Sequence, residues 1–149
     1  MSYTGNTKGS KLFREAIRIL DRKLDALEGG EFSSRGITAS QCRALVEIGR
    51  AETVSLVELA QLLGLDSSTM SRTVESLVEG GFALRGPDPQ DRRYIAITPT
   101  ESGNALCDDI ESALDAHYDD IFAHIPQTKR KEILEDLIII IEAMGSVEP

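Results

Sequence analysis

Side chains able to do chemistry gather at two places in this chain. The first is Asp88-Pro89-Gln90-Asp91-Arg92-Arg93-Tyr94, with four charges in the six residues 88–93 of a polar turn. Arg92 and Arg93 carry planar guanidinium groups, which the negative potential of a narrow groove in DNA attracts. Asp88 and Asp91 suit bracing the turn or orienting an arginine through a charge-assisted hydrogen bond. Solubility accounts for one charge at such a tip better than for four. The second place is Ser67-Ser68-Thr69-Met70-Ser71-Arg72. Small hydroxyls let a backbone come close to a ligand, and the free N–H groups and positive dipole end of a helix start favour phosphate. Arg72 can grip a guanine edge through two hydrogen bonds, while Glu75 either accepts from a cytosine or faces solvent.

Other reactive groups carry less. Cys42 and Cys107 do not make a disulfide framework. A small buried thiol is the ordinary state of such a residue, with a Cys42-based redox sensor as the alternative. His117 and His124 are seven residues apart, about 10 Å of helix rise, too far to share one ion. There is no phosphate-cradling glycine loop, metalloprotease motif or nucleophile elbow, so neither an enzyme, a cofactor nor a metal site is expected.

Elements must position these residues. Phe13, Ile17, Leu20, Leu24 and Leu27 recur at helical spacing, predicting a helix over 11–28 that Gly29-Gly30 stops, followed by a loop over 31–37. Thr38 with Gln41 predicts a capping box for a helix over 39–50. Two short helices follow, from Ser55 to Leu63 and from about Ser67 to Glu79, separated by Gly64-Leu65-Asp66 and closed by Gly80-Gly81: a helix-turn-helix. In the second, Met70, Val74, Leu77 and Val78 share the inward face. Phe82–Arg85 and Tyr94–Ile97 then alternate as strands around a long polar tip, a hairpin. Pro99 opens a long helix, Pro126 breaks it, and a last helix covers 127–144.

The fold class expected is mainly α with a small β-wing: a winged helix-turn-helix flanked by N- and C-terminal dimerisation helices. As one domain over 1–149, it divides into a flexible N-terminus (1–10), a dimerisation region (11–37 and 100–149) and the winged helix-turn-helix (38–99). Apolar side chains on the first and last helices exceed what one small winged helix can cover, and a symmetric dimer would bury them. Such a dimer would hold two recognition helices about 34–36 Å apart and read a palindrome.

The formal net charge is −9, but it is uneven. Residues 1–54 carry +2, residues 55–99 carry −2, and residues 100–149 carry −9. This excludes a protein that coats nucleic acid with its whole surface. It does not exclude contact at a few points, because charges beyond a screening length of about 8 Å matter little there. The longest apolar run, residues 137–141, is five residues, and the first ten are polar, so a cytoplasmic location is expected.

The stretches "LVELAQLLGLDSSTMSRTVESLVEGGF", "DPQDRR" and "ITPTESG" occur in that order over residues 56–103. With them, Ser71-Arg72, Asp91 with Arg93, and Thr98 with Glu101 and Gly103, the chain resembles the MarR family of winged-helix transcriptional regulators. The resemblance covers nearly everything after residue 10. It implies an obligate homodimer joined through the first and the two C-terminal helices, and a repressor or activator that releases double-stranded DNA when a small-molecule effector binds. The residues expected at DNA are Ser67, Ser68, Thr69, Ser71 and Arg72 in the major groove, and Arg92 and Arg93 on the wing with Asp91 as support. A winged helix that serves only as a protein-interaction module is the rival reading, favoured by the low basic charge.

Overall fold

The computed structural model describes residues 7–147 of the 149. It comprises two compact units, Met1–Ala113 and Leu114–Pro149. The order is α1 (Thr7–Ser34), α2 (Ala39–Ala51), β1 (Val54–Ser55), α3 (Leu56–Leu63), α4 (Ser67–Glu79), β2 (Ala83–Pro87), β3 (Ile95–Pro99), α5 (Glu101–His124), a 3-10 turn (Gln127–Lys129) and α6 (Arg130–Gly145).

The first helix departs from its expected limits at both ends. Residues 7–10 of the supposed flexible N-terminus are already helical, and residues 1–6 lie outside the described residues. Gly29-Gly30 do not stop it, and the predicted loop over 31–37 begins as helix. A glycine ends a helix by taking the left-handed conformation, and here Gly36 does so, at φ +71. Its N–H bonds Ser33 O at 3.1 Å, and the Ile37 N–H bonds Phe32 O at 3.2 Å. Phe32 and Ile37 are both buried, completing a Schellman closure with its hydrophobic contact. Gly64 ends α3 and Gly81 ends α4 in the same way, through Leu65 N to Ala60 O at 3.0 Å and Phe82 N to Leu77 O at 2.9 Å.

The capping box of α2 forms as expected. Thr38 Oγ1 accepts from the Gln41 N–H, and Gln41 Oε1 accepts from the Thr38 N–H. The core of the first unit is built from Ala44, Leu45 and Ile48 of α2, Leu59 and Ala60 of α3, Met70, Val74 and Leu77 of α4, and Val54, Ala83 and Ile97 of the sheet. Each large side chain there contributes about 1.5–3 kcal/mol of apolar burial.

The sheet has three strands, not the two of a simple hairpin, in the order β1-β3-β2, all antiparallel. β1 is only two residues, Val54 opposite Ile97 and Ser55 opposite Ala96. Such a length has no alternation to detect. Ser55 is both the last residue of β1 and the N-cap of α3, its Oγ accepting from the Glu58 N–H at 3.1 Å.

The long helix begins two residues later than expected. Pro99 ends β3 opposite Ala83. Thr100 caps α5 instead, its Oγ1 accepting from the Gly103 N–H at 3.0 Å while its hydroxyl donates to Gly81 O at 2.6 Å. The Thr100 N–H also bonds Phe82 O at 3.1 Å. Gly103 is required by this close approach: a Cβ there would lie 2.0 Å from Phe82 O.

In the second unit the last helix starts at Arg130, after the 3-10 turn over the first three residues of the predicted span. Arg130 closes the preceding corner. Its guanidinium donates to Ile125 O at 3.0 Å and Ala123 O at 3.2 Å, and lies 5.1 Å from the centre of the Phe122 ring. None of the residues of α6 is buried, and Ile138, Ile139, Ile141 and Met144 are among those exposed. No helix is long and apolar enough to cross a membrane among the described residues.

Candidate nucleic-acid interface

Helix α4 is oriented by its inward row. Met70, Val74 and Leu77 are all but fully buried, and a 3.6-residue period then turns Ser68, Thr69, Arg72, Glu75 and Ser76 outward. All five are exposed, as is Ser67, while Ser71 is half-buried on the flank. The expected face is therefore assembled, with Ser71 at its edge rather than on its crest. Arg72 and Arg92 have no side-chain partner among the described residues.

The start of α4 differs from expectation in one respect that bears on its chemistry. Its N–H groups are not all free. Asp66, extended at φ −72 and ψ 158, is the N-cap, and its carboxylate accepts from the Thr69 N–H at 2.7 Å. It also accepts from the Ser68 hydroxyl at 2.6 Å and the Thr69 hydroxyl at 2.8 Å. These hydrogen bonds, that of Ser68 foremost, hold the Asp66 carboxyl far below the usual carboxylate range. By sequence Asp66 falls in the turn between the two helices, a place that does not by itself assign it this role. The signal was present: Asp directly before a helix start is a preferred N-cap.

The wing turn is held by its own aspartates. Asp88 Oδ1 accepts from the Gln90 N–H at 2.9 Å, the Tyr94 N–H bonds Asp91 O at 3.0 Å, and the Asp88 N–H bonds Tyr94 O at 2.9 Å. Arg93 meets Asp91 fork to fork, Nε to Oδ1 at 3.0 Å and Nη2 to Oδ2 at 2.7 Å. This pairing lowers the Asp91 pKa and raises that of Arg93. The Arg93 side chain is still 84% exposed, so the pair fixes its direction without covering it. Arg92, beside it, is exposed and has no side-chain partner among the described residues.

Two further features belong to the first unit. A cleft of about 290 Å³ lies between α2 and α5, lined by Val46, Gly49, Arg50, Asn104, Cys107, Asp108 and Glu111. Cys42 is buried, and burial pushes its thiol up to about 11. Cys107 is shifted upward as well, first by burial and then by Glu111. A thiol held protonated is a poor nucleophile, which weighs against redox sensing at Cys42.

The MarR family model matches residues 35–93, which include α2, the helix-turn-helix and the wing tip. The multiple antibiotic resistance protein MarR of Escherichia coli (strain K12) is 32% identical over 105 residues, covering 66% of this chain and 73% of that protein. Among solved structures, a cysteine mutant of E. coli MarR complexed with operator DNA has a TM-score of 0.74 at 24% identity, over 93% of this chain and 99% of that one. A MarR transcriptional regulator from Methanosarcina mazei Go1 has a TM-score of 0.77 at 25% identity, with the same coverage of both chains. A winged helix that presents α4 and an arginine-tipped hairpin is thus matched in sequence and in fold, and the chain belongs to the MarR family of winged helix-turn-helix transcriptional regulators.

Proposed function

We propose that this protein is a homodimeric, ligand-responsive repressor that binds palindromic operator DNA from the cytoplasm. The observation that carries the reading is the exposed row of α4 in one small unit with a wing that holds Arg93 outward beside an exposed Arg92. Ser67, Ser68, Thr69, Ser71 and Arg72 enter the major groove. Arg92 and Arg93 reach the adjacent minor groove, with Asp91 as support. That the E. coli relative, of the same fold, is complexed with operator DNA supports DNA binding by this fold.

Exposed Leu12, Phe13, Ile19 and Leu20 on α1, and Ile138, Ile139, Ile141 and Met144 on α6, supply the apolar surface that a second copy covers. The dimerisation region is therefore 11–37 with 100–149, and the reader is 38–99. The cleft between α2 and α5 is where a small effector fits; its volume is near the lower end for ligand sites.

Fluorescence anisotropy of the purified protein against its own upstream intergenic DNA, with scrambled competitor at two salt concentrations, tests the reading. Tight, competitor-resistant binding at one dimer per site is expected, with a shallow salt slope because few basic side chains take part. Arg93→Ala should weaken that binding about tenfold or more while light scattering still finds a dimer, the loss of one charged hydrogen-bonding side chain. Unchanged binding by this variant would remove the wing from the interface. A protein that ignores every DNA but retains a protein partner in pull-downs would be an interaction module instead.

A further inference from the structure

The first turn of α4 contains an arrangement with consequences for which bases it reads. An ionised carboxylate has lone pairs and no proton, so it can only accept hydrogen bonds. Asp66 therefore fixes the direction of each proton it shares. The Ser68 hydroxyl must point its hydrogen at Asp66 Oδ1, and the Thr69 hydroxyl must point its hydrogen at Asp66 Oδ2. Both oxygens are left with only lone pairs facing away from the cap. The Thr69 N–H is engaged by the same carboxylate, and the Thr73 hydroxyl is turned back to Thr69 O at 3.1 Å.

We infer that Asp66 is a positioning residue that makes Ser68 and Thr69 hydrogen-bond acceptors toward DNA, so that this end of α4 reads the amino groups of adenine and cytosine rather than holding a phosphate. This rests on the proposal that α4 enters the major groove. There the exposed donors are adenine N6 and cytosine N4, whereas guanine O6 and N7 and thymine O4 are acceptors. An oxygen with its proton committed to Asp66 pairs with the first group and opposes the second. The carboxylate's charge, one residue before the helix, also opposes a phosphate where an uncapped N-terminus would attract one. Guanine recognition then falls to Arg72, the exposed donor of the same face.

Protonation does not undo the arrangement near neutral pH, since the carboxyl is held far below its usual range. The substitution that does undo it is Asp66→Asn. Asparagine is as good an N-cap as aspartate, and its Oδ1 can keep the Thr69 N–H and the Ser68 hydroxyl. Its Nδ2, standing where Oδ2 was, donates to Thr69 Oγ1 and turns that hydroxyl's proton outward. The helix start is kept while the polarity of one reading group is reversed.

The experiment is selection of bound duplexes from a randomised DNA library by the full chain, in parallel for wild type, Asp66→Asn and Thr69→Val. Melting temperatures of the three proteins are measured alongside. The wild type should select adenine or cytosine at the position of each half-site that Thr69 reads. Asp66→Asn should lose that preference or exchange it for guanine or thymine, by about tenfold in relative affinity, the size of one net hydrogen bond. Thr69→Val, which lacks the hydroxyl, should lose the preference at the same position and leave the others intact. A merely structural cap would change affinity for all sequences together. If both variants select the wild-type consensus at every position, the inference is wrong while DNA binding stands. If the wild type selects no consensus, the reading of α4 as a groove reader fails and the inference fails with it.

Discussion

Gly103→Ala tests whether the join between the wing and α5 is as tight as the structure has it. The added methyl would sit 2.0 Å from Phe82 O and 3.3 Å from Leu45 Cδ1. Carbon and carbonyl oxygen rest at about 3.3 Å, so α5 must retreat from Phe82 by roughly 1.3 Å. The Thr100 N–H to Phe82 O bond, now 3.1 Å, runs beside that contact and cannot survive such a retreat. Overpacking against an unyielding backbone costs about 1–3 kcal/mol, and the lost hydrogen bond about 1 kcal/mol more. Alanine's better helix propensity returns up to about 1 kcal/mol. The net loss is roughly 1–3 kcal/mol, or about 3–12 °C in Tm for a chain of this size. Urea unfolding followed by circular dichroism measures it as a lower midpoint at unchanged slope. Gly49→Ala is the internal control, because its methyl would meet only Asn104 Oδ1, at 3.7 Å. That variant should be neutral or more stable, by up to about 1 kcal/mol. If Gly103→Ala is as stable as wild type, Phe82 is not packed against α5 in the way described.

Cys42 should alkylate slowly in the native state. Its pKa is raised from 9.0 to about 11, which at pH 8 cuts the thiolate about a hundredfold relative to the unfolded chain; equal iodoacetamide rates in buffer and urea would contradict the burial. The same shift favours the protonated thiol in the fold, so its contribution to stability is intact below pH 9 and is lost as pH rises through about 11. Arg130→Ala should cost about 1–3 kcal/mol, since it removes a charged donor from two carbonyls at the α5–α6 corner. Hydrogen exchange should show the loss as faster amide exchange over residues 122–133, and unchanged protection there would refute the corner's dependence on Arg130.

What the sequence revealed of this fold is what periodicity and punctuation can carry. Met70, Val74 and Leu77 sit at helical spacing and are buried together; Thr38 and Gln41 cap α2 in the expected box. The limits of α1 differ from those its glycines suggest because glycine permits a left-handed turn without imposing one. Gly29-Gly30 stay helical, and the stop is written in Phe32, Gly36 and Ile37, whose spacing serves the Schellman contact. β1 was invisible because two residues have no pattern, and because Glu52 enters the turn before it at φ +63, a conformation that glutamate does not announce. At the candidate interface, residue types and positions were legible, including Arg72, Arg92 and Arg93. The hydrogen-bond directions at Asp66 were not, because they depend on where two hydroxyls point once the helix has formed.

The double duty of Ser55 reaches beyond local stability. One residue pairs with β3 at the root of the wing and also caps α3, so the hairpin and the helix-turn-helix share a rigid seam and cannot be aimed separately. On a palindrome, each extra base pair between half-sites adds about 3.4 Å and about 35° of rotation. A wing on a loose tether could absorb part of that by swinging; one stitched to α3 cannot. If α4 and the wing enter the grooves of a palindrome as proposed, tolerance of spacer length is all-or-none for the two together: an operator lengthened by one base pair should lose the contacts of both in the same half-site, and footprints at the two grooves should fade in step.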